Sequence, residues 1–224
     1  MIQVKICGLS NIEHVTVAAQ AGTDFIGFVF AESRRRVSPE VVLPMVRTIM
    51  ELEKRPETVG VFANSSVDLV NSIAEYCHLD RVQLSGNETW PYCLQINKPI
   101  IKVLHITKST TTDQVLADIE NGNRLIKNKE LIFLLDSKSD TLFGGTGIVF
   151  DWKVAQETAA YFPVIIAGGL NPDNIKTLIT KTHPWGVDVS SGVETEGKKD
   201  IEKIRAFIKA VRQAEVVIKK GQKQ

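Results

Sequence analysis

Eight short runs of apolar and β-branched residues recur along the 224-residue sequence, and they limit the folds that it can adopt. Most of these runs are apolar at nearly every position, which is typical of parallel strands buried on both faces. Such a sheet needs helices over its faces, so the residues between the runs should be helical. The runs cover residues 3–7, 25–30, 58–63, 81–84, 99–104, 131–136, 163–169 and 186–191.

The intervening segments carry the helical pattern that this arrangement requires. Residues 11–21 and 66–76 place apolar side chains at helical spacing. Ser38-Pro39 and Asn171-Pro172 each put an N-cap residue before a proline at the first helical position. A last helix is predicted over residues 200–214.

Eight strands alternating with helices in one chain of this length predict an α/β fold, a single (β/α)8 (TIM) barrel. An open doubly wound sheet is the competing arrangement. It usually shows Gly-x-Gly-x-x-Gly after the first strand, and "CGLSNI" does not supply that motif. We expect one barrel domain over residues 1–216, followed by a basic C-terminal tail over residues 217–224 that is solvated or frayed.

Composition argues against several classes of partner. With 27 basic and 26 acidic residues the net charge is +1, so the whole chain has no electrostatic footprint for nucleic acid or an anionic membrane. The first residues lack the pattern of a signal peptide, and no run approaches the length of a membrane span. Three cysteines without metal-ligand spacing argue against a disulfide framework. We therefore expect a cytoplasmic protein, monomeric or homodimeric.

A barrel places its functional groups where strands end and helices begin, so the residue at each strand end is a candidate. Two of these ends carry acid–base candidates, and the last two carry glycines. The candidates are Cys7, Phe30 with residues 32–36, Asn64, residues 83–85, His105, Asp136, residues 168–169 and residues 191–192.

The glycines after the last two strands predict a phosphate site. Gly168, Gly169 and Gly192 leave backbone N–H groups free to approach an anion, with no basic residue close by in the sequence. The alternative is that both are ordinary strand-to-helix turns that need positive φ. Two such turns on neighbouring strands favour the phosphate.

Cys7 and Asp136 are the candidates for proton transfer. A thiol at the end of the first strand is a potential base if a cation lies near it, although a lone cysteine also serves as a small hydrophobe. Asp136 leaves the apolar run "LIFLLD", where partial desolvation suits a carboxyl group to donate a proton. An N-cap or a loop salt bridge is the alternative. The glycine-containing loop over residues 137–152 is long enough to close over a ligand, unless it is a surface loop without that role.

The run Arg34-Arg35-Arg36 follows the second strand directly, so one of these arginines can reach the mouth of the barrel and hold a carboxylate. A solvated charge cluster is the alternative. Of the four histidines only His105 ends a strand, and none has cysteine or carboxylate neighbours at metal-ligand spacing, so no metal site is predicted.

Motifs in these strands and loops resemble the phosphoribosylanthranilate isomerase family, (β/α)8-barrel enzymes of tryptophan biosynthesis. They occur in family order over nearly the whole chain: "KICGL", "GFVFAESRRRVSPE", "VGVFAN", "VQLSG", "LLD", "GGTGIVFDW", "AGGLNPDN" and "GVDVSSGVE". The resemblance implies an Amadori rearrangement of N-(5-phosphoribosyl)anthranilate, a phosphorylated aminosugar, without metal or organic cofactor.

The resemblance also implies residue roles. Cys7 would be the general base and Asp136 the general acid. Arg35 would hold the anthranilate side of the substrate, with Arg34 or Arg36 as substitutes because the preceding loop is short. The remaining roles are phosphate binding by Gly168, Gly169, Ser191 and Gly192, and substrate contacts by Gln83 and Asp188.

The sequence departs from the family pattern at Ser85. Family members commonly read "VQLHG" there, with the histidine facing the anthranilate part of the pocket, so recognition of the aromatic acid should rest more on arginine. Two alternatives remain at this point. One is another phosphosugar isomerase or epimerase on the same barrel, and the other is a binding protein that has lost turnover.

Overall fold

The computed structural model describes residues 1–137 and 152–221. Eight parallel strands form a closed barrel in chain order, in which the last strand pairs with the first. This closure confirms the predicted (β/α)8 barrel and excludes the open doubly wound sheet. No helix in the described ranges is both long and apolar enough to cross a membrane.

The strands agree with the predicted runs to within two residues at each end. They are β1 Gln3–Cys7, β2 Phe25–Val29, β3 Glu57–Phe62, β4 Arg81–Leu84, β5 Ile100–Ile106, β6 Leu131–Ser137, β7 Val164–Ala167 and β8 Gly186–Val189. The last two are shorter than predicted. Gly168 (φ +95°) and Gly169 (φ +64°) leave the strand conformation, and a 3-10 helix, Ser191–Val193, begins directly after β8.

The helices fill the gaps between strands, as the amphipathic pattern predicts. In the described part of the chain they are α1 Ile12–Gln20, α2 Pro39–Met50, α3 Val67–Tyr76, α4 Trp90–Leu94, α5 Thr112–Leu125, α6 Trp152–Tyr161, α7 Ile175–Thr182 and α8 Ile201–Gly221.

The end predicted for the last helix, at residue 214, was wrong. Helix α8 continues to Gly221, so residues 217–221 of the expected tail are helical. The reason is packing: Ala214 is buried and Ile218, one turn later, packs against the core. Residues 222–224 lie outside the described ranges.

A two-stranded hairpin follows β8 that the sequence did not lead us to expect. Strands β9 (Glu194–Thr195) and β10 (Lys198–Lys199) pair antiparallel around Glu196 and Gly197. Both turn residues have positive φ, 51° and 78°, as a two-residue hairpin turn requires. The hairpin therefore lies at the same end of the barrel as the carboxyl ends of the strands.

Alternate residues of each strand point into the barrel. One apolar cluster fills its centre and is made by Phe25, Val59, Ile101, Val103, Ile132, Leu134, Ile165 and Ala167. A larger cluster lies between the strands and the helices. Because side chains alternate with a period of two, the residues that share a face with this central cluster determine what lines the pocket at the carboxyl ends.

Candidate active site

The glycine turns follow β7 and β8. Cys7 and Asp136 lie near the carboxyl ends of the two strands that flank this pair. Around the closed barrel the order is β6, β7, β8, β1, so Asp136 on β6 and Cys7 on β1 flank β7 and β8. Cys7 is 7% exposed, and Asp136 is half-buried beside Ala167 of β7. The fold thus brings the two predicted proton-transfer residues to the two sides of the predicted phosphate site.

The two glycine turns contact each other, as the phosphate prediction requires. A side chain at Gly192 would lie 1.8 Å from the carbonyl oxygen of Leu170, in the turn after β7. A side chain at Gly168 would lie 1.9 Å from Ser137 Oγ at the end of β6. Close backbone approach, together with positive φ at Gly168 and Gly169, accounts for these glycines, and it is compatible with a converging set of N–H groups.

A buried lysine, which sequence reasoning missed, lies next to Cys7. Lys5 is fully buried, and its Nζ lies 3.1 Å from Oδ1 of Asp188 on the neighbouring strand β8. Burial by itself would lower the pKa of this ammonium, yet Asp188 and the Cys7 thiol hold that pKa above its ordinary value. The sequence could have indicated this lysine by its spacing. Lys5 stands two residues before Cys7 in one strand, so both side chains face the interior.

Burial dominates the ionisation of Cys7. It raises the pKa of the thiol, whereas Lys5 acts in the opposite direction. The Cys7 carbonyl oxygen accepts a hydrogen bond of 3.1 Å from Ser190 Oγ, which joins the ends of β1 and β8. The thiol is thus buried at the carboxyl end of β1, with the buried ammonium of Lys5 beside it.

The structure distinguishes the three arginines. Arg35 crosses directly over Gly8, since a side chain at Gly8 would lie 2.6 Å from Arg35 Cδ. Arg36 is exposed, and the Arg34 side chain is 60% exposed. Arg35 is therefore the arginine that lies against the residue after Cys7.

Glu194 of the hairpin, also missed in the sequence, holds Arg35 in place. Arg35 donates from Nε (2.5 Å) and Nη2 (2.9 Å) to the Glu194 carboxylate, which also binds Arg34 (2.6 Å) and Lys199 (2.9 Å). Burial alone would raise the pKa of Glu194, but the hydrogen bonds from Arg35 and Lys199 lower it to about 2. No motif pointed to this carboxylate, because the hairpin was not predicted.

The phosphate prediction assumed that no basic residue is close to the glycine turns, and Lys199 shows that this assumption was wrong. Its Nζ lies 2.8 Å from the carbonyl oxygen of Ser190, directly before the 3-10 helix, so a basic residue is close to the turn after β8. Its contacts with Ser190 and Glu194 hold it beside the backbone of that turn.

Gln83, Ser85 and His105 line the opposite side of the barrel. Gln83 Nε2 donates to Ser85 Oγ at 3.1 Å, and His105 Nε2 lies 2.9 Å from the Ser85 carbonyl oxygen. Gln83 Oε1 and His105 Nδ1 are buried without a hydrogen-bond partner in the ranges that the structure describes. Such atoms can be satisfied by a water molecule, an ion or a ligand.

The closing loop and the absence of a metal site remain predictions. Of the loop over residues 137–152, residues 138–151 lie outside the described ranges. Among the residues that are described, no three His, Cys, Asp or Glu side chains are grouped so that they can hold a metal ion.

Comparison with known proteins identifies the family. The family model for N-(5'-phosphoribosyl)anthranilate (PRA) isomerase matches residues 4–210. Curated isomerases of this name from Dehalococcoides mccartyi and Acetivibrio thermocellus are 48% and 42% identical, and each alignment covers 96% of this chain and 98% of the relative.

Solved structures agree. Phosphoribosyl anthranilate isomerase from Thermotoga maritima superposes with a TM-score of 0.81 at 33% identity, covering 95% of this chain and all of that one. Another, solved in complex with reduced 1-(o-carboxyphenylamino)-1-deoxyribulose 5-phosphate, has a TM-score of 0.78 at 32% identity with the same coverage. This chain therefore belongs to the N-(5'-phosphoribosyl)anthranilate isomerase family.

Proposed function

We propose that this chain converts N-(5-phosphoribosyl)anthranilate into 1-(2-carboxyphenylamino)-1-deoxyribulose 5-phosphate, with Cys7 as general base and Asp136 as general acid. One observation carries the assignment of roles: Asp136 on β6 and Cys7 on β1 flank the strands whose glycine turns are in contact. A sugar phosphate seated on those turns has an acid on one side and a base on the other.

The chemistry requires one proton donor and one proton acceptor. Asp136 donates a proton to the ring oxygen, the bond from that oxygen to the first sugar carbon breaks, and the nitrogen lone pair forms an iminium. The Cys7 thiolate then removes the proton from the second sugar carbon, and the resulting enolamine tautomerises to the ketone. The iminium accepts the electron pair within the substrate, so the route needs neither a metal ion nor an organic cofactor.

Binding is assigned to the groups on both sides of the mouth. Gly168, Gly169, Ser191 and Gly192 receive the phosphate through backbone N–H groups. Arg35 faces the anthranilate carboxylate, while Gln83 and Asp188 contact the remainder of the substrate. Because these groups lie away from the breaking bonds, their binding energy serves to orient the sugar between acid and base.

The cellular setting of this activity stays a prediction. We propose a cytoplasmic enzyme of tryptophan biosynthesis that acts on a small phosphorylated substrate as a monomer or a homodimer. A related isomerase from Thermotoga maritima is dimeric, and monomers have been generated from it. A sedimentation measurement on this chain distinguishes the two states.

The direct test follows the fluorescence of phosphoribosylanthranilate generated in situ from anthranilate. The fluorescence should fall as the purified protein converts this substrate. Cys7→Ala and Asp136→Asn should each lower turnover about 10³-fold with the fold intact. Near-normal turnover by Cys7→Ala would remove the thiol from the mechanism. Binding of the reduced product analogue without turnover by the native chain would instead favour a non-catalytic relative.

A further inference from the structure

Lys5 is a charged residue of the barrel interior that the acid–base route above leaves without a role. It is fully buried on β1, and its ammonium contacts Asp188 at 3.1 Å. Replacing a buried ion pair by apolar side chains is often neutral or stabilising, and the centre of this barrel is already apolar. Stability therefore does not account for a lysine at this position.

The strand next to β1 leaves room for the lysine and the thiol to meet. Gly27 of β2 is the register partner of Cys7. A side-chain carbon at Gly27 would lie 2.9 Å from Cys7 Sγ and 3.1 Å from Lys5 Nζ, so the two groups border the same space. Gly27 is not among the glycines with positive φ, so its missing side chain matters for space rather than for backbone conformation.

The other charged groups around the thiol in the described residues already have ion-pair partners. Lys199 and Arg35 share the carboxylate of Glu194, and Asp188 binds Lys5. Asp136 lies beyond β8 and β7. Lys5 thus differs from Lys199 and Arg35 in being enclosed on the inner face of the same strand as Cys7.

We propose that Lys5 is the positioning residue for Cys7: held by Asp188 in the space left by Gly27, its ammonium stabilises the thiolate that accepts the substrate proton. The proposal rests on the proposed role of Cys7 as base. Lys5 keeps its own proton throughout, because it stays in its ion pair with Asp188, and the thiolate becomes a thiol when it takes the proton from carbon.

The test measures alkylation of Cys7 by iodoacetamide as a function of pH in the unliganded full chain, with each cysteine located by mass spectrometry. Cys77 and Cys93 are fully buried, so their protection reports that a variant is folded. Lys5→Met should slow alkylation of Cys7 about tenfold near neutral pH and move its pH profile to more alkaline values. Lys5→Arg should retain most of the native rate.

Lys102→Met is the matched control. Lys102 is also buried on a barrel strand and ion-paired, to Glu88 at 3.2 Å, but it lies on β5 and faces away from the interior cluster. Its loss should leave the Cys7 profile unchanged. In turnover assays Lys5→Met should lower kcat about tenfold with little change in KM, because Lys5 is fully buried.

Two results would overturn the proposal. One is a native pH profile for Cys7 in folded Lys5→Met, and the other is an equal shift in Lys102→Met. If Lys5→Met exposes Cys77 and Cys93, Gly27→Ala decides, because its methyl group separates thiol and ammonium while Lys5 remains; an unshifted profile there also contradicts the proposal.

Alkylation uses no substrate, so the two proposals can fail separately. Suppose that Lys5→Met shifts the Cys7 profile but the native chain does not isomerise phosphoribosylanthranilate: the effect of Lys5 on the thiol is then supported and the proposed function is wrong. If the native chain is active and Lys5→Met leaves the profile unshifted, the proposed function stands and the proposal for Lys5 is wrong.

Discussion

Arg34 and Arg35 are adjacent in sequence, yet the structure places them in different environments. Both donate to the same carboxylate, Glu194, but Arg34 is mostly exposed and Arg35 lies over Gly8 beside Cys7. Arg35 uses its Nε and Nη2 atoms on Glu194, so the other side of its planar guanidinium remains for a second acceptor. Glu194 therefore fixes the orientation of the arginine before a ligand arrives.

This arrangement predicts which arginine matters. Arg35→Ala should raise KM at least about tenfold, because the contact that we propose to the anthranilate carboxylate is lost. Arg34→Ala should change KM less than about threefold, since an exposed ion pair contributes little. Steady-state kinetics of both variants check this, and a larger effect of Arg34→Ala would reassign the contact.

At this scale, sequence reasoning placed the residues that lie near the end of a strand. Cys7, Asp136 and Gln83 lie at or next to the carboxyl ends of β1, β6 and β4, and their roles stay predictions. Lys5 was missed because a lysine within a strand usually points to water, and only its Asp188 contact explains its burial. Glu194 was missed because its role depends on a contact with Arg35, 159 residues earlier, that no local pattern encodes.

Helix α8 connects the end of the chain to its beginning. Arg212 donates to the carbonyl oxygens of Ile2 (2.6 Å) and Gly22 (2.9 Å) and to Asp24 (3.1 Å). Glu215 accepts the backbone N–H of Ile2. These contacts satisfy backbone groups at the amino end of β1 and in the turn before β2, far from the carboxyl ends of the strands.

We therefore expect Arg212→Met to lower the free energy of unfolding by about 1–3 kcal/mol, because two carbonyl oxygens and the carboxylates of Asp24 and Glu215 each lose a donor. The turnover number should not change. Arg205→Met is the matched control on the same helix, since Arg205 forms an exposed pair with Glu202 and should have almost no effect. Urea unfolding of both variants measures the difference, and equal losses would contradict the assignment.

Elements with a repeating pattern were predictable, and elements defined by a few residues were not. The eight buried runs and their helices gave the barrel. The hairpin of β9 and β10 has only two residues in each strand, too few for an alternating pattern to stand out. The extension of α8 depends on Ile218 packing against the core, and the two lysines that follow Ile218 obscured this in the sequence.

At the scale of the whole molecule, stability should depend on the charge state of buried carboxylates. Burial alone would raise the pKa of Asp80, but Arg55 and Thr58 hold it below its ordinary value, and the pKa of Glu194 is lowered to about 2. A carboxyl group with a lowered pKa in the folded chain stabilises that chain fully above its ordinary pKa. The contribution is lost as the pH falls through the folded value.

For Glu194 the ordinary value is 4.5, so its contribution, at most about 3 kcal/mol, should disappear between pH 4.5 and about 2. Unfolding free energies measured across this range should fall more steeply for the native chain than for Glu194→Gln. Glu202→Gln, on an exposed carboxylate, should follow the native curve. Parallel curves for the native chain and Glu194→Gln would show that this network does not govern acid stability.

The pairing of β1 with β8 has a consequence for synthesis on the ribosome. Lys5 meets its counter-ion, Asp188, 183 residues later in the chain. A nascent chain that has emerged only as far as β7 therefore holds Cys7 and Lys5 without the carboxylate that lets the lysine be buried. The ion pair beside the thiol forms only when the last strand is released and joins the first.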